Sequence, residues 1–363
     1  MYSGNTPSRL NKEHFNGAIN WISSGELKEH YIADTKEKIS DEAAKTLKML
    51  PIGTFVIAIY GLEADGVRGT GSITKTEATI SQACMAFISK GKVQNEFLYS
   101  WYKKHGNVIG IRYAQGTKQQ NLSYDIIEKF KIAYPTFQEQ EKLNKFIALL
   151  DERIATQNKI IEDLKKLKSA IIEIEYTPNT KTTSHIGNVI EQISKRNKNN
   201  AIQNVLSVSN RQGFIKQSDQ FENRNVASED TSNYKIVEKN DFAFNPARIN
   251  VGSIARLTTF EKGIVSPMYV CFRTQENVAP EYIDYFFESK HFYCEIQKRL
   301  EGSVRQCLSF EGLCNIPLSL PSFEIQQRIG KRIFTLEQKI KMETDLLELL
   351  NKQKQYLLRQ MFI

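Results

Sequence analysis

The sequence predicts an α/β (α+β) protein made of two tandem domains, each followed by a long helix, with the two helices pairing as an antiparallel coiled coil. Three observations carry this: an ungapped internal repeat, a heptad seam in each copy, and matching polar interruptions in the two seams. Residues 121–173 align with residues 307–359, setting Leu122 against Leu308, Pro135 against Pro321, Gln140 against Gln326 and Ile154 against Ile340. Every pair is 186 residues apart (308 − 122 = 186), about half of the 363-residue chain. Apolar residues recur in steps of four and three at Leu143, Ile147, Leu150, Ile154, Ile161 and Leu164, and again at Ile329, Ile333, Leu336, Ile340, Leu347 and Leu350. Such a sustained heptad is the mark of a coiled coil. Gln157 and Lys168 break the first seam, and Glu343 and Lys354 break the second at the same register. Polar seam residues fix register and partner, so two helices of one chain are expected to pair in one alignment.

The elements follow in order. The first domain is read as residues 1–135. It holds a short strand and turn in 17–27, a helix over Asp41–Met49 capped by Ser40, and a buried strand in 53–61. A glycine-rich loop over 61–71 leads to one strand over 78–89 and an amphipathic helix over 95–105. A polar loop at 115–123 enters the first long helix, 136–173, and a linker, 174–183, follows. The second domain, 184–321, repeats the plan: 204–209, 241–255 and 265–273 answer to the earlier strands, 280–290 to the helix and 301–309 to the loop. The second long helix is 322–363. The first domain begins almost at GNTPS, without a counterpart of 184–193, so its opening strand is expected to be missing, supplied from elsewhere or lost through a late start codon.

Composition is that of an ordinary globular protein, and the net charge of +8 favours an anionic partner, nucleic acid first. No run approaches a membrane span and the polar start is no signal peptide, so a cytoplasmic protein with no membrane partner is expected. The five scattered cysteines suggest buried free thiols rather than disulfides or zinc ligands.

The chain resembles the specificity subunit of type I restriction-modification systems. The resemblance rests on GNTPS (4–8), INWISSGEL (19–27), QGTKQQNLS (115–123) and AYPTFQEQEKLNKFIALLDERI (133–154) in the first half. FNPARINVGSIA (244–255), EGSVRQCLS (301–309) and SLPSFEIQQRI with its helix carry it in the second. It implies two target recognition domains, each reading half of a split double-stranded DNA site in a host-defence system. The paired helices would serve as spacer and as docking surface for two methyltransferase subunits, with restriction/translocase subunits completing the complex. No cofactor is expected on this chain; S-adenosylmethionine and ATP would belong to the partner subunits.

Chemistry of its own is not legible. FNPAR (244–248) resembles the Asn-Pro-Pro-aromatic motif of adenine methyltransferases, but Ala247 and Arg248 stand where the second proline and the aromatic should be. GVRGTG fits neither dinucleotide nor P-loop spacing, and the five histidines lack metal-ligand spacing. A non-catalytic chain is expected. Duplex binding needs Lys or Arg for phosphates and Arg, Lys, Asn or Gln for base edges. Loop residues meeting that need are Ser8, Arg9, Arg68, Lys75, Arg112, Lys118 and Gln119 in the first domain. In the second they are Arg211, Gln212, Lys216, Arg248, Asn250, Arg305 and Gln306. A helix of about 35 residues is about 50 Å long, room for half-sites one to one and a half DNA turns apart. The competing reading is a coiled-coil adaptor whose two domains bind proteins.

Overall fold

The computed structural model describes all residues but 65, 178–182, 211, 221–229, 303–305 and 363. It divides into two compact units, Met1–Gln157 with Leu346–Ile363, and Asn158–Asp345. Each unit therefore contains one domain and a stretch of both long helices, Phe137–Glu175 and Phe323–Met361.

In the first unit the five-stranded sheet runs Tyr2–Ser3, Cys84–Phe87, Phe55–Ala58, Gly71–Thr74, Tyr31–Ile32. A three-stranded sheet, Lys38–Ile39, Ile19–Ile22, Ala78–Ile80, stands beside it. The second unit carries the same order in its sheet of Ile190–Ile193, Val270–Thr274, Phe242–Phe244, Ile254–Arg256. The repeat extends to register: parallel pairing of Ile19–Ile22 with Ala78–Ile80 reappears as parallel pairing of Val205–Ser209 with Lys262–Val265. Continuous apolar strands such as Phe55–Ala58, buried throughout, suit a sheet covered on both faces.

Four elements differ from the sequence reading. Residues 78–89 form two strands in two different sheets, Ala78–Ile80 and Cys84–Phe87, because the Cys84 amide turns back onto the Ser81 carbonyl. The helix expected to stop at 105 continues to Tyr113, with Gly106 and Gly110 inside it. Those glycines are contact points rather than breakers: a Cβ on Gly106 would lie 3.0 Å from the Gly69 Cα, and one on Gly110 would lie 2.6 Å from the Arg68 side chain. The glycine-rich loop packs against the helix there. Residues 280–290 split into helices Pro280–Phe286 and Lys290–Gln297, with Ser289 capping the latter through Phe292 N–H at 3.1 Å. The Ser40 cap exists, but its helix is short, Asp41–Lys45. Of the thiols, Cys84 and Cys271 are buried, which pushes both up to about 12, whereas Cys294 is exposed.

The helix seams hold. Ile147, Gln157, Ile161, Ile333 and Leu350 are buried, and Leu143, Leu150, Ile154, Leu164, Leu336, Ile340, Glu343 and Leu347 are half-buried. In the second unit Lys168 bonds Glu337 at 2.6 Å and Arg332 bonds Glu175 at 3.2 Å, so one helix ascends as the other descends. In the first unit Lys354 bonds Asp151. These are one contact made twice, since Asp151 and Lys168 become Glu337 and Lys354 after the 186-residue offset. Each helix ends in a domain core. Tyr176 packs on Tyr282 with ring centroids 4.8 Å apart, and Phe362, its repeat partner, packs on Phe97 at 5.1 Å.

Candidate nucleic-acid interface

Each domain presents a loop closed in the same way at its base. In the first, residues Gln115 and Asn121 pair as an antiparallel bridge that closes 115–121; in the second, Glu301 and Cys307 do so for 301–307. The turn needs a left-handed residue after the bridge, and glycine supplies it twice, Gly116 with φ 114° and Gly302 with φ 104°. A Cβ at Gly116 would meet the Gln119 carbonyl at 2.0 Å. The leucine after each loop is fully buried and anchors it, Leu122 N–H donating to Ile59 O at 2.8 Å and Leu308 N–H to Pro246 O at 3.0 Å. In the first loop this base carries an exposed tip. Lys118 and Gln119 are exposed in the first loop and Gln306 in the second; Arg305 lies outside the described residues.

The other first-domain candidates occupy different environments. Ser8 and Lys75 are exposed, the Lys75 ammonium lying 4.4 Å from the centre of the Tyr31 ring. Arg9 is exposed but engaged: its guanidinium makes a two-pronged pair with Glu37 at 2.9 and 2.8 Å and stacks 4.6 Å over Phe15. That pairing raises Arg9 and lowers Glu37, and it neutralises the local charge. Arg68 is half-buried against Gly110 and donates to Gln120 Oε1 at 2.9 Å, so it braces the Lys118 loop instead of projecting from it. Arg112 is exposed on the last turn of helix Asn95–Tyr113, not on a loop.

In the second domain Gln212 is exposed in the turn joining Val205–Ser209 to Gly213–Lys216, and Lys216 is exposed at that hairpin's end; Arg211 lies outside the described residues. Arg248 and Asn250 sit on a turn built by buried Asn245, whose Oδ1 accepts from Ala247 N–H at 3.1 Å. Gly252 reverses that turn with φ 87°, and a Cβ built there would lie 3.8 Å from Asn210. A cavity of about 410 Å³ results, lined by Ser207, Asn210, Asn245, Arg248 and Tyr269. The fold therefore gathers Arg248 and the Gln212 hairpin around one cleft. A second cleft, of about 790 Å³, is lined by Lys195, Arg196, Lys198 and Lys262. Lys195, Arg196 and Lys198 are neighbours in sequence, whereas Lys262 comes from the distant strand Lys262–Val265.

Two residues were visible only as repeat markers. Gln140, completely buried, accepts from Gln94 N–H at 2.8 Å and donates to Lys92 O and Pro135 O, both at 3.0 Å. Gln326 accepts from Ala279 N–H at 3.0 Å and donates to Pro321 O at 2.9 Å. Gln94 and Ala279 are the residues at which helices Asn95–Tyr113 and Pro280–Phe286 begin. Each long helix is thereby bolted to the start of its own domain helix. Among the described residues no three His, Cys, Asp or Glu side chains converge as metal ligands, and no helix is long and apolar enough to cross a membrane.

Two domains of one plan, each offering a braced polar loop and sharing a heptad-paired helix set, define a duplicated two-headed recognition protein. A family model described as the type I restriction modification DNA specificity domain matches residues 2–166 and residues 171–352. The chain belongs to the type I restriction-modification specificity family. It is 28% identical over 170 residues to the type I restriction enzyme MjaIX specificity subunit of Methanocaldococcus jannaschii. That match covers 45% of this chain and 38% of the relative, so it spans well under half of the relative's length. Among solved structures, the S subunit of a type I restriction-modification system from M. genitalium superimposes with TM-score 0.57 at 15% identity, covering 100% of this chain and 93% of that one. The HsdS subunit from Thermoanaerobacter tengcongensis does so with TM-score 0.52 at 13% identity, covering 95% and 90%. At these identities the structures attest the fold.

Proposed function

We propose that this chain is the DNA-reading subunit of a type I restriction-modification complex, each domain reading one half of a bipartite duplex target. The carrying observation is the same bridge-closed, glycine-turned loop base in both domains, with Lys118 and Gln119 exposed in one and Gln306 in the other. A fixed base with exposed amide and ammonium tips is what groove reading asks for: Lys for phosphate, Gln bidentate to adenine. Arg248 and Asn250 add a second reading turn, and Lys195, Arg196, Lys198 and Lys262 a phosphate track, in the second domain. In this reading the chain performs no chemistry and acts in the cytoplasm. S-adenosylmethionine and ATP bind the partner subunits, two methyltransferases and the restriction/translocase subunits. The methyltransferases dock on the helices, where an apolar row outside the seam recurs every seven residues: Ile160, Leu167 and Ile174 in the second unit, Leu349 and Tyr356 in the first. The unread spacer between half-sites is set by the length of those helices.

The test is methylome sequencing of cells with and without the subunit. One split adenine-methylated motif, appearing only with the subunit, is expected. An unchanged methylome, together with no salt-dependent duplex binding beside the methyltransferase, would leave the adaptor reading in its place.

A further inference from the structure

Side chains that edge-on reading of a paired duplex leaves unused line the cavity of about 410 Å³ beside Arg248. Gln217 Oε1 is buried there and accepts no hydrogen bond from a described residue. Val208 N–H donates to the hydroxyl of Tyr269, 8% exposed, at 3.3 Å, which leaves the phenolic proton for another acceptor. Asn245, 6% exposed, has its Oδ1 engaged by Ala247 N–H at 3.1 Å, and its amide N–H pair has no acceptor among the described residues. An acceptor and two kinds of donor therefore border one small space. A buried acceptor without a partner costs free energy until something enters to pair it.

The rest of the wall says what shape fits. Tyr234 and Tyr269 contribute rings, and Val251 and Met268, 53% and 58% exposed, form apolar lips. Arg248 is the one charged residue of the described lining, so no carboxylate repels an anion at the mouth. Such walls suit an uncharged planar group with donors and acceptors along its edge and a phosphate beside the arginine. The volume falls among pockets that enclose a small molecule, about 300–1,000 Å³. Nucleobases have this form, but within a duplex their pairing edges are taken and their faces stacked.

We propose that the cavity is a pocket for one unpaired nucleobase, swung out of the duplex that the second domain holds. Gln217 Oε1 accepts from an N–H of the base, Asn245 and Tyr269 donate to its ring nitrogen or carbonyl, and Arg248 holds the phosphate of the displaced nucleotide. The pocket rests on the DNA reading proposed above and adds to it: one position of the target is selected by extrusion, not by groove contact.

The test uses the chain with its methyltransferase subunits and a duplex carrying the target taken from the methylome. The fluorescent adenine analogue 2-aminopurine is placed at, or directly beside, each position of both half-sites in turn. Methyltransferases extrude the base they modify, so the methylated adenines are set aside. At one further position fluorescence is expected to rise several-fold, and Gln217→Leu is expected to abolish that rise, its melting temperature serving as the folding control. On the unmodified chain, changing the base opposite that position is expected to tighten binding by about tenfold, because a mismatched base costs less to extrude, whereas mismatches elsewhere weaken it by about as much. If Gln217→Leu melts early, the mismatch series decides alone. Full-strength duplex binding with no such rise, a rise that persists in folded Gln217→Leu, or no position where a mismatch tightens binding overturns the pocket and leaves DNA reading standing. Absence of sequence-selective duplex binding overturns both. Free 2-aminopurine deoxyriboside is the last arm: a signal from it that Gln217→Leu abolishes, without the duplex signal, assigns the pocket to a free nucleoside and overturns the duplex as its source.

Discussion

Gln140 and Gln326 show how much one buried side chain can organise. Each amide satisfies a backbone N–H and at least one backbone carbonyl at a domain–helix junction, so truncation strands every partner at once. Gln140→Ala and Gln326→Ala are each expected to lose about 2–3 kcal/mol, because unsatisfied buried backbone groups retain their desolvation cost. Urea unfolding measures it, and a loss under about 0.5 kcal/mol would mean that water replaces the amide without penalty. Asp284 offers a titration instead. Burial raises its carboxyl from 3.8 to about 6, against the opposing pull of Arg256, while Glu288 and Glu337 raise it further. The folded state thus holds this proton more tightly than the unfolded chain does. Its stabilising contribution is full below about pH 3.8 and is lost as pH rises through about 6. Asp284→Asn keeps shape without charge, so the melting temperature of the second unit should change less between pH 4 and 6.5 than in the unmodified chain. Parallel pH profiles would remove Asp284 as the source.

At the scale of elements, the seam lysines are ion-pair anchors and not defects. Lys168 lies between Glu288 at 2.7 Å and Glu337 at 2.6 Å, with the Tyr285 ring 5.5 Å away. Burial alone would lower its ammonium, but the two carboxylates outweigh it and hold it up. Lys168→Met leaves those carboxylates facing each other and is expected to cost about 3 kcal/mol, whereas the triple change with Glu288→Gln and Glu337→Gln should recover most of it. Thermal unfolding of the three proteins decides: a triple variant no better than the single one would show that the lysine stem, not its charge, matters. The seam itself was legible because period 3.5 survives in any heptad sequence. The acids opposite the lysines were not, since Asp151 and Glu337 look like surface residues until a partner helix is placed. Helix Asn95–Tyr113 was read short for a related reason. Gly106 is a stop signal locally, and only the neighbouring loop explains it. In the candidate interface, sequence indicated the loops but not their bracing; Arg68 is chemically a DNA contact and structurally a strut.

For the whole molecule, duplication gives internal controls that a single domain lacks. Substitutions in the corresponding loops should affect different halves of one target. Gln306→Ala is expected to relax base preference in one half-site by about 1–3 kcal/mol per base while leaving the other half unchanged. Lys118→Ala should weaken binding across all sequences and lower the log–log salt slope by about one. Duplex binding at several salt concentrations separates the two, and a uniform effect of both variants would dissolve the distinction between reading and steering. The helices allow a length test of the same proposal. Seven residues inserted at matched positions in both helices preserve the heptad, so pairing and docking faces remain in register. The insertion adds about 10 Å of helix, or about three base pairs of DNA. If the helices set the spacer, the methylated motif should keep both half-sites and lengthen its unread centre by about that amount. An intact motif with the original spacer would refute the ruler while leaving the two reading heads in place.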